Sequence, residues 1–311
     1  MAVFLRFCAA QSRALLILGL LAGVGLPGLA AAMQPWLPEM VAILLVITAF
    51  RIGHRAAFGA LRDLRWSLPA VLVLQLALPL AMIAALALAG LTGTAIALAV
   101  VLACAAPTIS GGASLALILG QDPARMMQLL ILGTAVFPLT ILPVLLAHPI
   151  EVDTASLMQV ALRALVLILG SAAIGFAARH LLLPAPNPAQ VRAMDGAAIL
   201  FFCIIVIGLM AALGPMLRTD PMRAALWALA AFVLSFGLQA LTLLILHRSP
   251  LTAVSGPLAL AAGNRNIALF LVVLPEPVVA QIMIFVACWQ LPMYLTPIFL
   301  PRLYGLAPRH E

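Results

Sequence analysis

Charged residues are scarce in this sequence, and lysine is absent. Aspartate, glutamate, lysine and arginine make up only 8% of the 311 residues, whereas hydrophobic residues make up 66%. At this composition a soluble domain has too few polar residues to cover its apolar surface. The scarcity of charge therefore excludes a soluble fold and predicts an all-α polytopic membrane protein. The missing lysine, together with many Ala, Leu, Gly and Pro residues, is typical of a GC-rich bacterial genome.

Motifs for metal binding and catalysis are absent as well. The four cysteines have no metal or redox spacing, and three of them lie inside apolar runs, which favours small core residues. No predicted span contains a His-x-x-x-His, Glu-x-x-His or Gly-x-Ser-x-Gly pattern. The sequence thus predicts no metal site and no cofactor, and it argues against a membrane enzyme.

Hydropathy predicts ten membrane spans. Their ranges are residues 14–32, 35–50, 68–89, 95–119, 123–147, 157–178, 196–214, 222–246, 252–274 and 277–300. The first span also resembles a signal peptide, because Arg6 and Arg13 precede it and three alanines end it. Its length favours a membrane anchor.

The arginines are spread over the loops, which argues against nucleic-acid binding and indicates membrane topology instead. With a cytoplasmic N-terminus, only Arg218 and Arg223 lie in outside loops. The twelve inside arginines are Arg6, Arg13, Arg51, Arg55, Arg62, Arg65, Arg125, Arg179, Arg192, Arg248, Arg302 and Arg309. We predict a multi-pass protein of the bacterial inner membrane with cytoplasmic tails at residues 1–13 and 301–311. The basic segment 51–65 predicts an amphipathic helix that rests on the anionic inner leaflet of the lipid bilayer.

Three features of the sequence recur at one displacement of 154 residues, as from Pro123 to Pro277. They pair Asp122-Pro123 with Glu276-Pro277, Pro138 and Pro143 with Pro292 and Pro297, and Ser110-Gly111-Gly112 with Asn264-Arg265-Asn266. Five predicted spans precede the repeat boundary near residue 150, and five follow it. An odd number of spans per copy inverts the second copy in the membrane, and inverted repeats are the architecture of secondary transporters.

The fourth and ninth predicted spans carry helix-breaking residues near their middle. Pro107 and a Gly-Gly pair interrupt one span, and Gly263 interrupts the other. Two broken helices that cross at membrane depth can bind a substrate with their free backbone groups. The candidate substrate-binding residues are Ser110, Gly111, Gly112, Ser114, Asn264, Arg265 and Asn266. The alternative is a pair of kinked helices whose small polar residues only pack.

Arg265 places a charge about halfway along a predicted span, where it costs about 2.5–3.5 kcal/mol on insertion scales. No Asp or Glu lies deep in any predicted span, which weakens proton coupling and leaves Arg265 without an obvious counter-ion. A small organic anion, such as a carboxylate or sulfonate held by two parallel hydrogen bonds, is therefore the expected partner. Alternatively, Arg265 snorkels to an aqueous surface or pairs with a structural carbonyl.

Gly-Gly-Ala-Ser at 111–114, Gly120-Gln121-Asp122 and Thr134 with its two following prolines form one motif block, and Ala261–Ala268 forms another. These blocks resemble the bile acid:sodium symporter superfamily. The resemblance implies a ten-span transporter with broken, crossing helices four and nine. It also implies a panel domain formed by residues 14–50 and 157–214, and a core domain formed by residues 68–147 and 222–300.

The chain departs from the sodium-site pattern that this resemblance implies. The family pattern has a Glu at the position of Ala261 and a Gln at the position of Arg265, and both help to bind two sodium ions. It also has an Asn near Ser114, whereas Thr134 and Gln75 match expected sodium ligands. A site with one Glu and two bound sodium ions carries a net charge of about +1, and a site with one Arg and no Glu carries the same charge. Because no carboxylate compensates its charge, Arg265 is expected to repel sodium. We hypothesise that the guanidinium replaces the sodium ions and that transport is sodium-independent.

Two alternative functions fit the sequence. One is a sodium-coupled organic anion symporter of the same family. The other is a membrane sensor or scaffold derived from a transporter, which the loss of sodium ligands also fits. A channel is disfavoured, because an inverted repeat with crossing helices provides alternating access.

Overall fold

A computed structural model describes residues 2–60, 63–148 and 154–307. These parts of the chain are almost entirely helical and contain no β-strand beyond one isolated pair of bridged residues. Two of the arginines used to predict topology, Arg62 and Arg309, lie outside the described residues, as do residues 308–311 of the predicted C-terminal tail.

Eighteen α-helical segments make up the described parts of the chain. They are α1 (Ala2–Ala10), α2 (Ser12–Gly25), α3 (Pro27–Met33), α4 (Leu37–Ile52), α5 (His54–Ala60), α6 (Leu64–Leu72), α7 (Leu78–Leu88), α8 (Ala95–Ala105), α9 (Gly112–Ile118), α10 (Pro123–Ala147), α11 (Thr154–Leu182), α12 (Pro188–Leu209), α13 (Leu213–Thr219), α14 (Pro221–Leu246), α15 (Ser255–Gly263), α16 (Phe270–Val273), α17 (Glu276–Phe299) and α18 (Pro301–Tyr304).

Seven helices in the described residues are long and apolar enough to cross a membrane. They are Pro27–Ile52, Leu64–Leu88, Pro123–Ala147, Ala155–Leu182, Pro188–Thr219, Pro221–Leu246 and Glu276–Phe299. The protein is therefore a polytopic helical membrane protein, as its composition predicts. The predicted spans 95–119 and 252–274 each consist of shorter helices separated by a break.

The first two predicted spans, 14–32 and 35–50, have wrong boundaries. One continuous apolar helix runs from Pro27 to Ile52, with a tight 3₁₀ turn at Gln34–Trp36. The break falls at Leu26 instead, because Pro27 lacks an N–H and begins a new helix there. Pro35 does not end the helix, since it lies at the start of the 3₁₀ turn. The segment before Leu26 is divided into α1 and α2.

The chain folds into two compact units. One unit comprises residues 1–58 and 165–225, and the other comprises residues 59–164 and 226–311. The unit boundaries fall inside the long helices α11 and α14. The predicted division into a panel domain and a core domain stays a prediction.

Small residues bring helices close together in the first unit. A Cβ atom added to Gly175 of α11 would lie 2.7 Å from the carbonyl oxygen of Val46 and 2.8 Å from the backbone nitrogen of Phe50. One helical turn further on, Arg179 donates hydrogen bonds to the carbonyl of Phe50 at 2.9 Å and to that of Arg51 at 3.2 Å. Glycine is required at position 175 because α4 passes at backbone distance.

We expect Gly175→Ala to lower the free energy of unfolding by about 1–3 kcal/mol, because the added methyl group overpacks the contact with α4. Gly170 of the same helix is the matched control, since a Cβ atom there meets no atom within 4 Å. Gly170→Ala is expected to stabilise the protein by up to about 1 kcal/mol through helix propensity. Thermal unfolding in detergent measures both variants, and equal shifts would contradict the close approach.

Candidate cation and substrate site

Two helix breaks predicted from the sequence are present in the second unit. Helix α8 ends at Ala105, and Ala106 is extended, with φ −60° and ψ 147°. Proline disfavours the helical conformation in the residue before it, so Pro107 accounts for the extended Ala106. On the other side, α15 ends at Gly263, and helical structure resumes only at Ile267.

The two breaks pair with each other through their backbones. Thr108 and Arg265 form an isolated antiparallel bridge. The Ile109 amide donates to the carbonyl of Asn264 at 3.0 Å, and the Asn266 amide donates to the carbonyl of Pro107 at 2.8 Å. Residues distant in sequence thus form a crossover, defined here as residues 106–111 and 264–266.

The Arg265 side chain lies at this crossover, only 2% exposed. Its guanidinium donates to three backbone carbonyls. Nε donates to Ala262 at 2.9 Å, Nη1 to Ala106 at 3.1 Å and Nη2 to Leu74 at 3.0 Å. The charged group therefore joins three separate segments of the second unit.

Each acceptor is a carbonyl that an interrupted helix has left free. The carbonyl of Ala262 lies in the last turn of α15, and its usual partner, the amide of Asn266, donates across the crossover. Ala106 is the extended residue that directly follows α8. Leu74 belongs to a π-helical segment, Val73–Ala77, between α6 and α7. Carbonyls at helix ends carry partial negative charge and attract cations.

Neutral carbonyls bind the guanidinium without cancelling its charge. Within the described residues the only ion pairs between side chains are Arg51 with Asp195 and Arg125 with Asp122, so none involves Arg265. Arg265 therefore pairs with structural carbonyls, which is one of the alternatives left open by the sequence, and it does so at the crossover. A direct bidentate contact between Arg265 and an anion stays a prediction.

Asn264 is held by a buried polar network on the other side of the crossover. Its side-chain oxygen accepts from Thr296 Oγ1 at 3.4 Å, and Gln239 donates to the same threonine oxygen at 3.3 Å. Ser235 donates to the carbonyl of Gly263 at 2.8 Å. A Cβ atom on Gly263 would collide with the carbonyl of Ser235, so only glycine fits here. These four polar side chains are completely buried.

The other predicted substrate residues differ in accessibility. Ser110 and Asn266 are half-buried, whereas Gly111 and Ser114 are exposed. Gly112 is buried, and a Cβ atom there would collide with the side chain of Met126. Ser110, Ser114 and Asn266 are therefore the predicted polar side chains that are not fully buried.

The predicted remnants of an ion site differ in their burial. Gln75, which follows Leu74 in the chain, is only 2% exposed, and its side-chain oxygen accepts from Thr140 Oγ1 at 3.3 Å. Ala261 is buried in α15, and Thr134 is half-buried. Thr140 was not predicted, since a threonine inside an apolar span gives no distinct signal.

The three carbonyl acceptors could not be predicted from the sequence, because every residue has a backbone carbonyl and the sequence does not distinguish among them.

The described residues contain no group of three or more His, Cys, Asp or Glu side chains that could hold a metal ion. No known family model matches the sequence, and no curated protein matches it. Function therefore has to be inferred from the geometry of the crossover.

The indole of Trp289 secures the crossover backbone, since its Nε1 donates to the carbonyl of Arg265 at 3.1 Å. We expect Trp289→Phe to lower the free energy of unfolding by about 1–3 kcal/mol, because a buried carbonyl loses its donor. Trp66→Phe is the control, since the Trp66 Nε1 donates no hydrogen bond among the described residues. Thermal unfolding that shows the same loss for both variants would argue against this role.

Proposed function

We propose that this protein is a secondary transporter that moves a small organic anion across the bacterial inner membrane by alternating access. In this proposal transport is sodium-independent, because Arg265 takes the place of bound cations. The observation that carries the proposal is the buried guanidinium with its three carbonyl acceptors at interrupted helices. The chain would be a divergent relative of the bile acid:sodium symporter superfamily.

Unwound backbone carbonyls and the carboxyl ends of half-helices are the groups with which secondary transporters bind sodium. Arg265 uses three oxygens of this kind. Its guanidinium stays protonated at every physiological pH, so its charge is permanent. The site then needs no ion from solution, and no carboxylate is required to attract one.

An anionic substrate fits the charge of the site. The carbonyls leave the positive charge of Arg265 uncompensated, and opposite charges attract strongly where the surroundings are apolar. The hydroxyl and amide groups of Ser110, Ser114 and Asn266, which are not fully buried, could donate hydrogen bonds to a carboxylate or sulfonate. In this mechanism the positive charge of Arg265 attracts the anion, and these three side chains donate hydrogen bonds to it that water can replace when the anion leaves.

Several features of the fold support the transporter proposal. Helices α10 and α17, which the 154-residue displacement relates, each contain two internal prolines. The paired breaks at the crossover likewise follow α8 in one copy and α15 in the other. Counting α1 with α2, the two broken spans and the seven long helices, ten crossings are proposed, arranged as two inverted repeats of five with both termini cytoplasmic.

Uptake into proteoliposomes tests the function. A thermal-shift screen of carboxylates and sulfonates first identifies the anion that stabilises the purified protein most. We expect that radiolabelled anion to enter proteoliposomes at the same rate when choline replaces sodium, because the cation is part of the protein. A strict sodium requirement would favour the sodium-coupled symporter instead.

The same screen on Arg265→Gln is the control for the role of the charge. An anion that interacts with the field of Arg265 is expected to stabilise this variant less than the wild type. Equal stabilisation would show that Arg265 does not act on the anion. Binding without uptake in either cation would favour the sensor or scaffold.

A further inference from the structure

The π-helical segment Val73–Ala77 interrupts the long apolar helix Leu64–Leu88. At its end the Leu78 amide donates to the carbonyl of Val73, five residues earlier, instead of to the carbonyl four residues earlier. Such π-bulges are rare and occur frequently at functional sites. Here the bulge has a specific consequence for the residue at its second position, Leu74.

The carbonyl of Leu74 lacks both donors that a regular helix would offer it. In an α-helix it would accept from the Leu78 amide, which is already used by Val73. In a π-helix it would accept from residue 79, which is proline and has no N–H. The carbonyl is therefore free to accept from Nη2 of Arg265 at 3.0 Å.

We propose that Pro79 is a positioning residue for the built-in cation: it keeps the Leu74 carbonyl free, and so provides the third acceptor of the Arg265 guanidinium. This inference rests on the proposed function of Arg265 as a substitute for bound cations. The planar guanidinium presents its donors in a fixed fork, so it needs acceptors at fixed positions. Ala106 and Ala262 supply two of them, and the bulge supplies the third.

A second contact holds the bulge in place. The buried Gln75 side chain accepts from Thr140 of α10, and Gly133 leaves room for its amide, because a Cβ atom there would crowd the Gln75 Nε2 atom. The bulge is thus fixed against α10 by a side chain and against the crossover by a backbone carbonyl. Both contacts are made by neighbouring residues of one irregular turn.

A double-mutant cycle between Pro79→Ala and Arg265→Ala tests the proposal on the purified full-length protein. Alanine supplies an N–H at position 79 and permits a regular helix, in which the Leu74 carbonyl accepts from the Leu78 amide. With Arg265 present, we expect Pro79→Ala to lower the melting temperature by several degrees, because a buried charged donor loses an acceptor. In the Arg265→Ala background the same change is expected to have no such effect, so the two substitutions couple.

Pro69 is the matched control, since it lies inside α6 of the same long helix and is not among the hydrogen-bond acceptors of Arg265 in the described residues. Pro69→Ala is expected to shift the melting temperature equally with and without Arg265. If Pro79→Ala also shifts it equally in both backgrounds, Pro79 acts only on helix shape, and the proposal is wrong. Should Arg265→Ala not fold, Arg265→Gln serves as the second background.

The cycle is measured without substrate or sodium, so its outcome is separate from that of the uptake assay. Sodium-independent uptake without coupling would remove Pro79 from the site and leave the proposed function intact. Coupling without uptake would support the role of Pro79 in freeing the Leu74 carbonyl for Arg265, and would contradict only the proposed transport.

Discussion

A buried guanidinium needs hydrogen-bond acceptors, and an intact helix has none to give. This constraint links the irregular features of the second unit. An α-helix uses its own carbonyls, so Arg265 can be satisfied only where helices are interrupted. Three interruptions occur, at α8, at α15 and at the π-helical segment, and each provides one carbonyl to the same side chain. Conversely, each free carbonyl would be costly in an apolar environment without a donor. The arginine and the helix breaks therefore stabilise each other.

The side chains around the crossover follow from the same arrangement. Because the two extended segments pair through their backbones, glycine is needed where a neighbouring helix approaches, as at Gly263 beside α14. The buried amides and hydroxyls on that side satisfy the remaining polar groups of the break, with Asn264 bonded to Thr296 and to its own helix at Leu260. In the proposed function, Ser110, Ser114 and Asn266, which are not fully buried, would contact the ligand. The proposal thus assigns the positive charge to a buried side chain and the ligand contacts to more exposed ones.

Sequence reasoning predicted the features that side chains encode. Pro107 with the following glycines, and Gly263 with its polar neighbours, indicated both helix breaks, and the long helix at residues 123–147 was predicted with its observed bounds. Asp122 caps that helix with its side chain, whereas α17 begins at Glu276, with Pro275 at the N-cap position and no side-chain cap. Hydropathy misplaced the first two spans, since it does not register which proline starts a helix. The identities of the residues do not show which backbone carbonyls accept from Arg265, although Pro79 and Pro107 could have indicated where carbonyls become free.

In the proposed mechanism, the guanidinium of Arg265 occupies a cation site built from three backbone carbonyls. Adding guanidinium to purified Arg265→Ala tests it most directly, with melting temperature as the measurement and concentrations kept far below those that denature proteins. We predict a saturable rise in the melting temperature of Arg265→Ala, and none for the wild type or for Arg163→Ala, whose arginine is exposed. A melting temperature that falls or stays constant in all three proteins would contradict the claim.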